Sequence, residues 1–165
     1  MPVVGPHATS IEKAISTMVS GQLEEARTAK RELWRTVRHA GRPAADAERE
    51  AVVAALLSAT WQDLPADTAR DLLWMLSEIG GDEAVATIKP LLADNELRED
   101  ARMVLERIPG DASLAALQAA LKTVPDDFQQ NIVQSLRVRG VDVPGHACQK
   151  LVPTRENDKH RDRKR

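Results

Sequence analysis

The residues most able to bind a metal ion or transfer a proton are few and widely spaced. The chain has four histidines and one cysteine: His7, His39, His146, His160 and Cys148. No histidine is followed by glutamate, and no His-Glu-x-x-His segment is present. His146 and Cys148 stand two positions apart in "GHAC", but a metal site needs three or four ligands. We therefore expect no metal and no cofactor, and we interpret this pair as a loop histidine and a small buried thiol.

Other catalytic arrangements are also missing from the sequence. No Gly-x-Ser-x-Gly elbow, phosphate-binding glycine-rich loop or dinucleotide fingerprint occurs. Carboxylates do recur, at Asp71 and Asp100, with Asn131 at the third equivalent position. A catalytic carboxylate pair would face each other across a cleft, whereas a recurring position lies in a row along a stack of repeats. We interpret these three as residues of a helix face or of hydrogen bonds between repeats, and we expect no catalytic residue.

Basic residues are concentrated between positions 23 and 40. Spacings of four place Arg27, Arg31, Arg35 and His39 along one helical face. Glutamates three or four positions from these bases favour ordinary ion pairs on a solvated helix. An acidic partner and a nucleic acid are the two alternatives left open for this face.

The elements that carry these residues are helices. The composition is 42% hydrophobic but only 2% aromatic, so the core must consist of Leu, Val, Ile and Ala, which favour helices. At 165 residues the chain has the length of one domain. Apolar residues at helical spacing predict an all-α fold. The predicted helices cover about 10–21, 23–40, 44–61, 66–79, 82–93 (bent at Pro90), 95–108, 111–123 and 126–139.

The later helices contain an internal repeat. "IGGD" at 79–82 returns as "IPGD" at 108–111, 29 positions further on. Trp74, Met103 and Gln134 hold the same position in three successive copies, the last of them about 31 positions after the second. A period near 30 that is made of two helices is typical of an α-solenoid, in which each pair buries its apolar face against its neighbours.

The stretch "LSEIGGDEAVATIKPLLADNELREDARMVLERIPGDASLAALQAAL" resembles the short HEAT-like repeats of the phycobilin-lyase type, which belong to the HEAT-repeat family. The resemblance covers about 66–140. It implies an all-α solenoid of about four antiparallel helix pairs, a HEAT-like superhelix over 10–145 that is monomeric or weakly associating. A flexible N-terminus (1–9) and a charged, disordered, basic C-terminal tail (146–165) are expected to flank it.

The resemblance also predicts a surface for a partner. In HEAT-like solenoids the second helix of each pair lines the concave side. Trp74, Met103 and Gln134 would lie there, either packed against adjacent helices or exposed as a ridge for a partner. We predict a docking surface formed by Trp74, Met103 and Gln134, with a polar rim of Arg70, Glu78, Arg102 and Arg107.

Three functions are compatible with this architecture. The first is a non-enzymatic interaction or scaffold module that binds a protein or peptide on its concave face. The second is an enzyme or enzyme subunit of the bilin-lyase type. The third is a nucleic-acid-binding protein, as in HEAT-like DNA glycosylases, which need a basic groove and aromatic residues. The missing catalytic groups favour the first.

Charge and cysteine content limit the partner and the compartment. Residues 150–165 hold seven of the 23 Lys/Arg and three of the 25 Asp/Glu, so the tail carries +4 and the remainder −6. An acidic body makes a nucleic acid an unlikely partner. One cysteine forms no internal disulfide and suits a reducing compartment. With no secretory signal and no apolar run of about 20 residues, we expect a cytoplasmic protein without membrane contact.

The division of the chain into an acidic body and a basic tail predicts how it binds DNA. Duplex DNA should bind only through the basic tail, weakly and with a steep loss of affinity as salt rises, because phosphate contacts release counterions. A chain truncated at Lys150 should then show no DNA binding in a gel-shift or anisotropy titration at physiological salt. Retained binding by the truncated chain would place nucleic acid first among the three functions.

Overall fold

A computed structural model describes residues 6–147, and helices account for most of this range. No strand occurs among the described residues, so the predicted all-α fold class is confirmed for them. Residues 148–165 lie outside the described part, and so do Cys148, His160 and nearly all of the predicted disordered tail. Residues 1–5 of the predicted flexible N-terminus lie outside it as well.

Within this range the chain forms eight α-helices and two short 3-10 turns. The turns follow α3 at Trp61–Asp63 and α5 at Lys89–Ala93. The helices are α1 (Pro6–Ser20), α2 (Leu23–Ala40), α3 (Asp46–Leu57), α4 (Ala66–Ile79), α5 (Asp82–Ile88), α6 (Arg98–Arg107), α7 (Asp111–Ala120) and α8 (Asp126–Val138).

The predicted helix bounds agree with the structure for α2, α4 and, within one residue, α8, whereas α3 (predicted 44–61), α6 (95–108) and α7 (111–123) are shorter than predicted. Their terminal residues belong to the connecting loops, whose exact limits apolar spacing does not mark. α1 begins at Pro6. Residues 6–9, predicted to be flexible, are therefore helical, since proline suits a first turn where its missing N–H has no partner. Ala8 packs against the core and holds this turn in place. In the fifth helix the α-helical hydrogen bonding ends at Ile88, and the chain continues around Pro90 as a 3-10 turn rather than as a bent α-helix.

The helices pack in two layers that follow chain order. In one layer α1 contacts α3, α3 contacts α5, and α5 contacts α7. In the other layer α2 contacts α4, α4 contacts α6, and α6 contacts α8. Successive members of the two layers also touch, as α1 does with α2 and α7 with α8. Each helix is thus in contact with members of its own layer and with helices of the other layer.

One aliphatic cluster fills the space between the layers. Leu72, Leu73 and Leu76 of α4 are fully buried and join a cluster that runs from α1 to α8. The only phenylalanine, Phe128, is also fully buried. Leu23, in contrast, is 64% exposed. It is the first residue of α2.

The two repeated loops touch each other. Gly110 of "IPGD" has a φ of +101°, a conformation that L side chains rarely adopt. A Cβ atom at this position would stand 2.8 Å from the Oδ1 atom of Asp82, which belongs to the preceding "IGGD" loop. Glycine is therefore required both by the backbone conformation and by the close approach of the neighbouring repeat.

Charge placed inside the cluster should unfold the chain. Leu76→Asp or Leu105→Asp puts an unpaired carboxylate at a fully buried site, and we expect the helical circular-dichroism signal to be lost at room temperature. Leu23→Asp makes the same change at an exposed leucine and should leave the midpoint of thermal unfolding almost unchanged. Equal effects of the buried and exposed substitutions would contradict the packing described here.

Candidate functional site

A row of polar contacts joins the four even-numbered helices. Lys30 of α2 lies 2.7 Å from Asp71 of α4, and Arg70 of α4 lies 3.2 Å from Asp100 of α6. The amide of Asn131 in α8 donates a hydrogen bond of 2.9 Å to Glu99 of α6. We call the pairs Lys30–Asp71, Arg70–Asp100 and Glu99–Asn131 the polar ladder.

The polar ladder confirms the interpretation of the recurring Asp71, Asp100 and Asn131. Each one bonds to the preceding even-numbered helix, as expected for residues that join repeats. The Asp71 side chain is 24% exposed and that of Asp100 only 1%, while Asn131 is also buried. Buried polar groups are tolerated only when they are hydrogen-bonded, so the ladder restricts how these helices can slide past one another.

A buried arginine strengthens the last step of this row. Arg102 binds both carboxylate oxygens of Glu99, at 3.0 and 2.6 Å, and donates to Glu106 at 2.8 Å. It also donates to the hydroxyl of Ser135 in α8, which in turn donates to Glu106. Burial by itself would lower the pKa of Arg102, but the hydrogen bonds and charges of Glu99 and Glu106 outweigh it and raise the pKa. The guanidinium therefore stays charged inside the interface between α6 and α8.

The predicted polar rim is only partly present. Arg102 does not border an open surface, because it is buried in the cluster with Glu99, Glu106 and Ser135. Arg70 is half-buried as a member of the polar ladder. Glu78 and Arg107 are exposed and form a 2.8 Å ion pair between α4 and α6. A helical wheel indicates which way a side chain points but not where the adjacent helix stands, and this is why Arg102 was misplaced.

Trp74, Met103 and Gln134 occupy one line across the even-numbered helices. They follow Asp71, Asp100 and Asn131 by three residues each, so each lies one helical turn beyond the ladder on the same face. All three are half-buried, and neither Trp74 nor Met103 belongs to the buried cluster. The three residues predicted to form the docking surface thus hold equivalent positions on α4, α6 and α8.

Trp34 of α2 holds the corresponding position, although the repeat in the sequence did not indicate it. Trp34 follows Lys30 by four residues, as Trp74 follows Arg70 and Met103 follows Glu99. Trp34 is half-buried and packs against the core on one side. The period near 30 did not reveal Trp34, because the spacing from Trp34 to Trp74 is about ten residues longer than the spacings from Trp74 to Met103 and from Met103 to Gln134. We call Trp34, Trp74, Met103 and Gln134 the Trp74 row.

Beside Trp34 the surface of α2 is strongly basic. A groove of about 650 Å³ is lined by Arg27, Lys30, Arg31, Trp34, Arg35 and Arg38. The guanidinium of Arg38 lies over the Trp34 ring, 5.3 Å from its centroid. Glutamates of the same helix pair with Arg27 and Arg35, as the spacing predicted.

Arginines also cap the ends of the repeated helices. Arg49 of α3 donates to the carbonyl of Ile79 at the end of α4, at 3.0 Å. Arg139, just after α8, donates to the equivalent carbonyl of Ile108 at 2.8 Å and to that of Gly110. The last carbonyls of a helix have no partner within it, so a cation there satisfies both their hydrogen bonding and the helix dipole. The repeated isoleucine thus marks a helix end that is capped by an arginine from outside that helix.

A further charged contact lies between α6 and α8. Arg98 donates to Asp127 at 2.8 Å, and its guanidinium stands 4.7 Å from the centroid of the Phe128 ring. The hydrogen bond from Arg98 lowers the pKa of Asp127. With Arg102 and the ladder, this is the third polar connection between the two helices.

Among residues 6–147, no group of three or more His, Cys, Asp or Glu side chains is arranged to hold a metal ion. None of the described helices combines the length and apolar character needed to cross a bilayer. Comparisons of the chain with protein-family models, with curated proteins and with solved structures find no match.

Removing the buried arginine should weaken the fold far more than removing the exposed one. Arg102→Met leaves Glu99 and Glu106 close together without their cation and should lower the free energy of unfolding by about 3 kcal/mol. Arg107→Met in the same helix removes only an exposed pair with Glu78 and should cost less than about 1 kcal/mol. Urea unfolding followed by circular dichroism measures both. Equal losses would show that the Arg102 cluster does not hold α6 against α8.

Proposed function

We propose that this chain is a non-enzymatic interaction module that docks a protein or an extended peptide on its even-numbered helices. The single observation that supports the proposal is the Trp74 row, in which Trp74 and Met103 hold equivalent positions on neighbouring helices and are half-buried outside the core cluster. Tryptophan anchors dominate binding energies at interfaces, and methionine adapts to irregular partners. Two such residues in neighbouring repeats suit a partner that runs across the helices.

The architecture we propose for this module is an α-solenoid of about four antiparallel helix pairs, of the HEAT-like kind. Its support is the two-layer packing, in which each helix contacts the preceding and following members of its own layer. In a solenoid of this type α2, α4, α6 and α8 would line the concave side. Stacked repeats offer an extended concave surface that suits elongated partners.

The buried residues of α4 already supply the apolar stripe that this helix needs for packing. Leu72, Leu73, Leu76 and Met75 of this helix are fully buried, so the helix has the apolar stripe that its packing requires. Trp74 is half-buried and lies outside the core cluster, so part of its apolar area remains accessible. An aromatic residue held in this way at a recurring surface position favours a binding role over a packing role.

The polar surroundings of the Trp74 row complete the docking surface. The exposed pair Glu78–Arg107 lies one turn beyond Trp74 and Met103 and forms the rim on that side. Gln134 continues the row on α8 with an amide that donates and accepts hydrogen bonds. We propose that the chain acts as a monomer or weak oligomer in a reducing compartment such as the cytoplasm, the latter on the ground of its single cysteine.

Loss of the two apolar residues should abolish docking without affecting the fold. We expect a Trp74→Ala/Met103→Ala variant with unchanged helicity to fail to capture a partner that the wild-type chain captures from a native lysate. For the isolated partner the affinity should fall by about thirtyfold or more, since truncating an interface tryptophan costs about 2 kcal/mol.

A matched control comes from apolar residues outside the row. Leu23 and Val138 are 64% and 58% exposed, so Leu23→Ala/Val138→Ala removes a comparable kind of surface elsewhere. This control should capture the partner as the wild type does. If the Trp74→Ala/Met103→Ala variant captures the same proteins as the wild type, the docking surface lies elsewhere on the chain.

A further inference from the structure

The groove on α2 contains positive charges that the described fold does not neutralise. Arg31 and Arg38 are exposed, and neither is within ion-pair distance of a carboxylate among residues 6–147. Arg31 donates only to the hydroxyl of Thr28, at 3.1 Å. Arg38 lies over the ring of Trp34. Two arginines with donors free on the same helical face form a site for an anionic group.

The other cations of the groove are held only loosely. Arg27 and its partner Glu24 are 62% and 80% exposed, and Arg35 and Glu32 are 76% and 55% exposed. Exposed pairs of this kind contribute little to stability, so a carboxylate from a partner can replace the glutamate. Lys30 is the exception, because it is bound by Asp71 in the polar ladder. The groove can thus present up to four arginines to a ligand.

The size of the groove indicates an extended ligand rather than a small one. Its lining runs from Arg27 to Arg38, a span of roughly 17 Å at the rise of an α-helix. An extended chain of about five residues covers this distance. Trp34 lies in the middle of the groove and is also the first member of the Trp74 row.

We propose that the partner carries an acidic, extended segment, rich in Asp and Glu, which binds along this groove with its carboxylates on Arg31 and Arg38 and its chain against Trp34. This inference rests on the proposed docking function and defines the chemistry of the partner at the α2 end of the Trp74 row. The arginines supply bidentate hydrogen bonds to carboxylates. Trp34 supplies apolar contact beside them.

An acidic peptide fits this surface better than a nucleic acid does. Outside residues 150–165 the chain carries −6, which repels a long phosphate backbone everywhere except at the groove. A short acidic segment meets only the local positive charge, because salt screens interactions beyond about 8 Å at physiological ionic strength. The groove also holds one aromatic residue, too few for successive bases to stack upon.

The test uses two fluorescein-labelled peptides of equal length on the full chain. One alternates Glu with Leu, and the other has Gln in place of every Glu. Fluorescence anisotropy should show binding of the Glu peptide only, with an affinity that falls as salt is added. Arg31→Glu/Arg38→Glu should weaken this binding by about tenfold or more, because like charges then face each other.

A variant with the same net charge as Arg31→Glu/Arg38→Glu controls for the electrostatic field of the whole protein. Lys13 and Lys122 are exposed and lie outside the groove, so Lys13→Glu/Lys122→Glu makes the same change in net charge. Its affinity for the Glu peptide should lie within about twofold of the wild-type affinity if contact in the groove, rather than long-range attraction, decides the affinity. Equal weakening in the two double variants would overturn the proposal.

The three tryptophans locate the bound peptide. Their indole N–H signals in a nitrogen–proton spectrum can be assigned with Trp34→Phe, Trp61→Phe and Trp74→Phe. The Glu peptide should shift the signal of Trp34 and leave that of Trp61 in place. An unmoved Trp34 signal, or displacement of the peptide by a single-stranded oligonucleotide of equal charge at lower concentration, would overturn the proposal.

This experiment and the capture experiment fail independently. If the Glu peptide does not bind while Trp74→Ala/Met103→Ala still loses a partner, the docking function stands and the acidic partner is wrong. If the Glu peptide binds at Trp34 while the Trp74→Ala/Met103→Ala variant keeps all partners, the groove on α2 is the site, and the Trp74 row is not the docking surface.

Discussion

The arrangement of the even-numbered helices depends on one constraint, which is that polar side chains between them must find partners in the next helix. Asp100, Arg102 and Asn131 are buried, and each is bonded across an interface or within the cluster that spans it. Sliding one helix along another would leave these groups without partners, at a cost of several kcal/mol for a charged one. Aliphatic side chains such as Leu72 hold the layers together, but they tolerate small shifts that the polar ladder does not.

The polar ladder also determines which side chains are aligned on the surface beside it. Because the Trp74 row stands one turn away from it, any register that satisfies the ladder aligns Trp34, Trp74, Met103 and Gln134. The chemistry of this line changes along the stack, from arginines around an indole on α2 to an amide on α8. The surface therefore differs from one end to the other, and such a difference is what the proposed extended partner needs in order to bind in one orientation.

Much of the fold and of the candidate site could be predicted from residue types and spacing, but some residues could not be placed in this way. The bounds of α4, its buried Leu76 and the inter-repeat role of Asp71 follow from helical periodicity and from a period near 30, because both depend only on positions along the chain. Arg102 and Trp34 could not be placed. The first is buried by α8, and the second joins the row through a longer step that contains Trp61–Asp63. Both outcomes depend on how helices distant in sequence meet.

The sequence by itself determined the fold class, the helices and the recurrence of the loop that contains Gly110, because these depend on local backbone preferences and on apolar spacing. The close approach of Gly110 to Asp82 was decided by the tertiary packing of the two loops. Tertiary structure alone decided which polar residues are buried and which remain on the surface. Arg102 and Arg107 stand five positions apart in one helix, yet the first lies inside the interface with α8 and the second in solvent. The physical reason is that burial is a property of the neighbouring helix, and its position results from packing the whole stack at once.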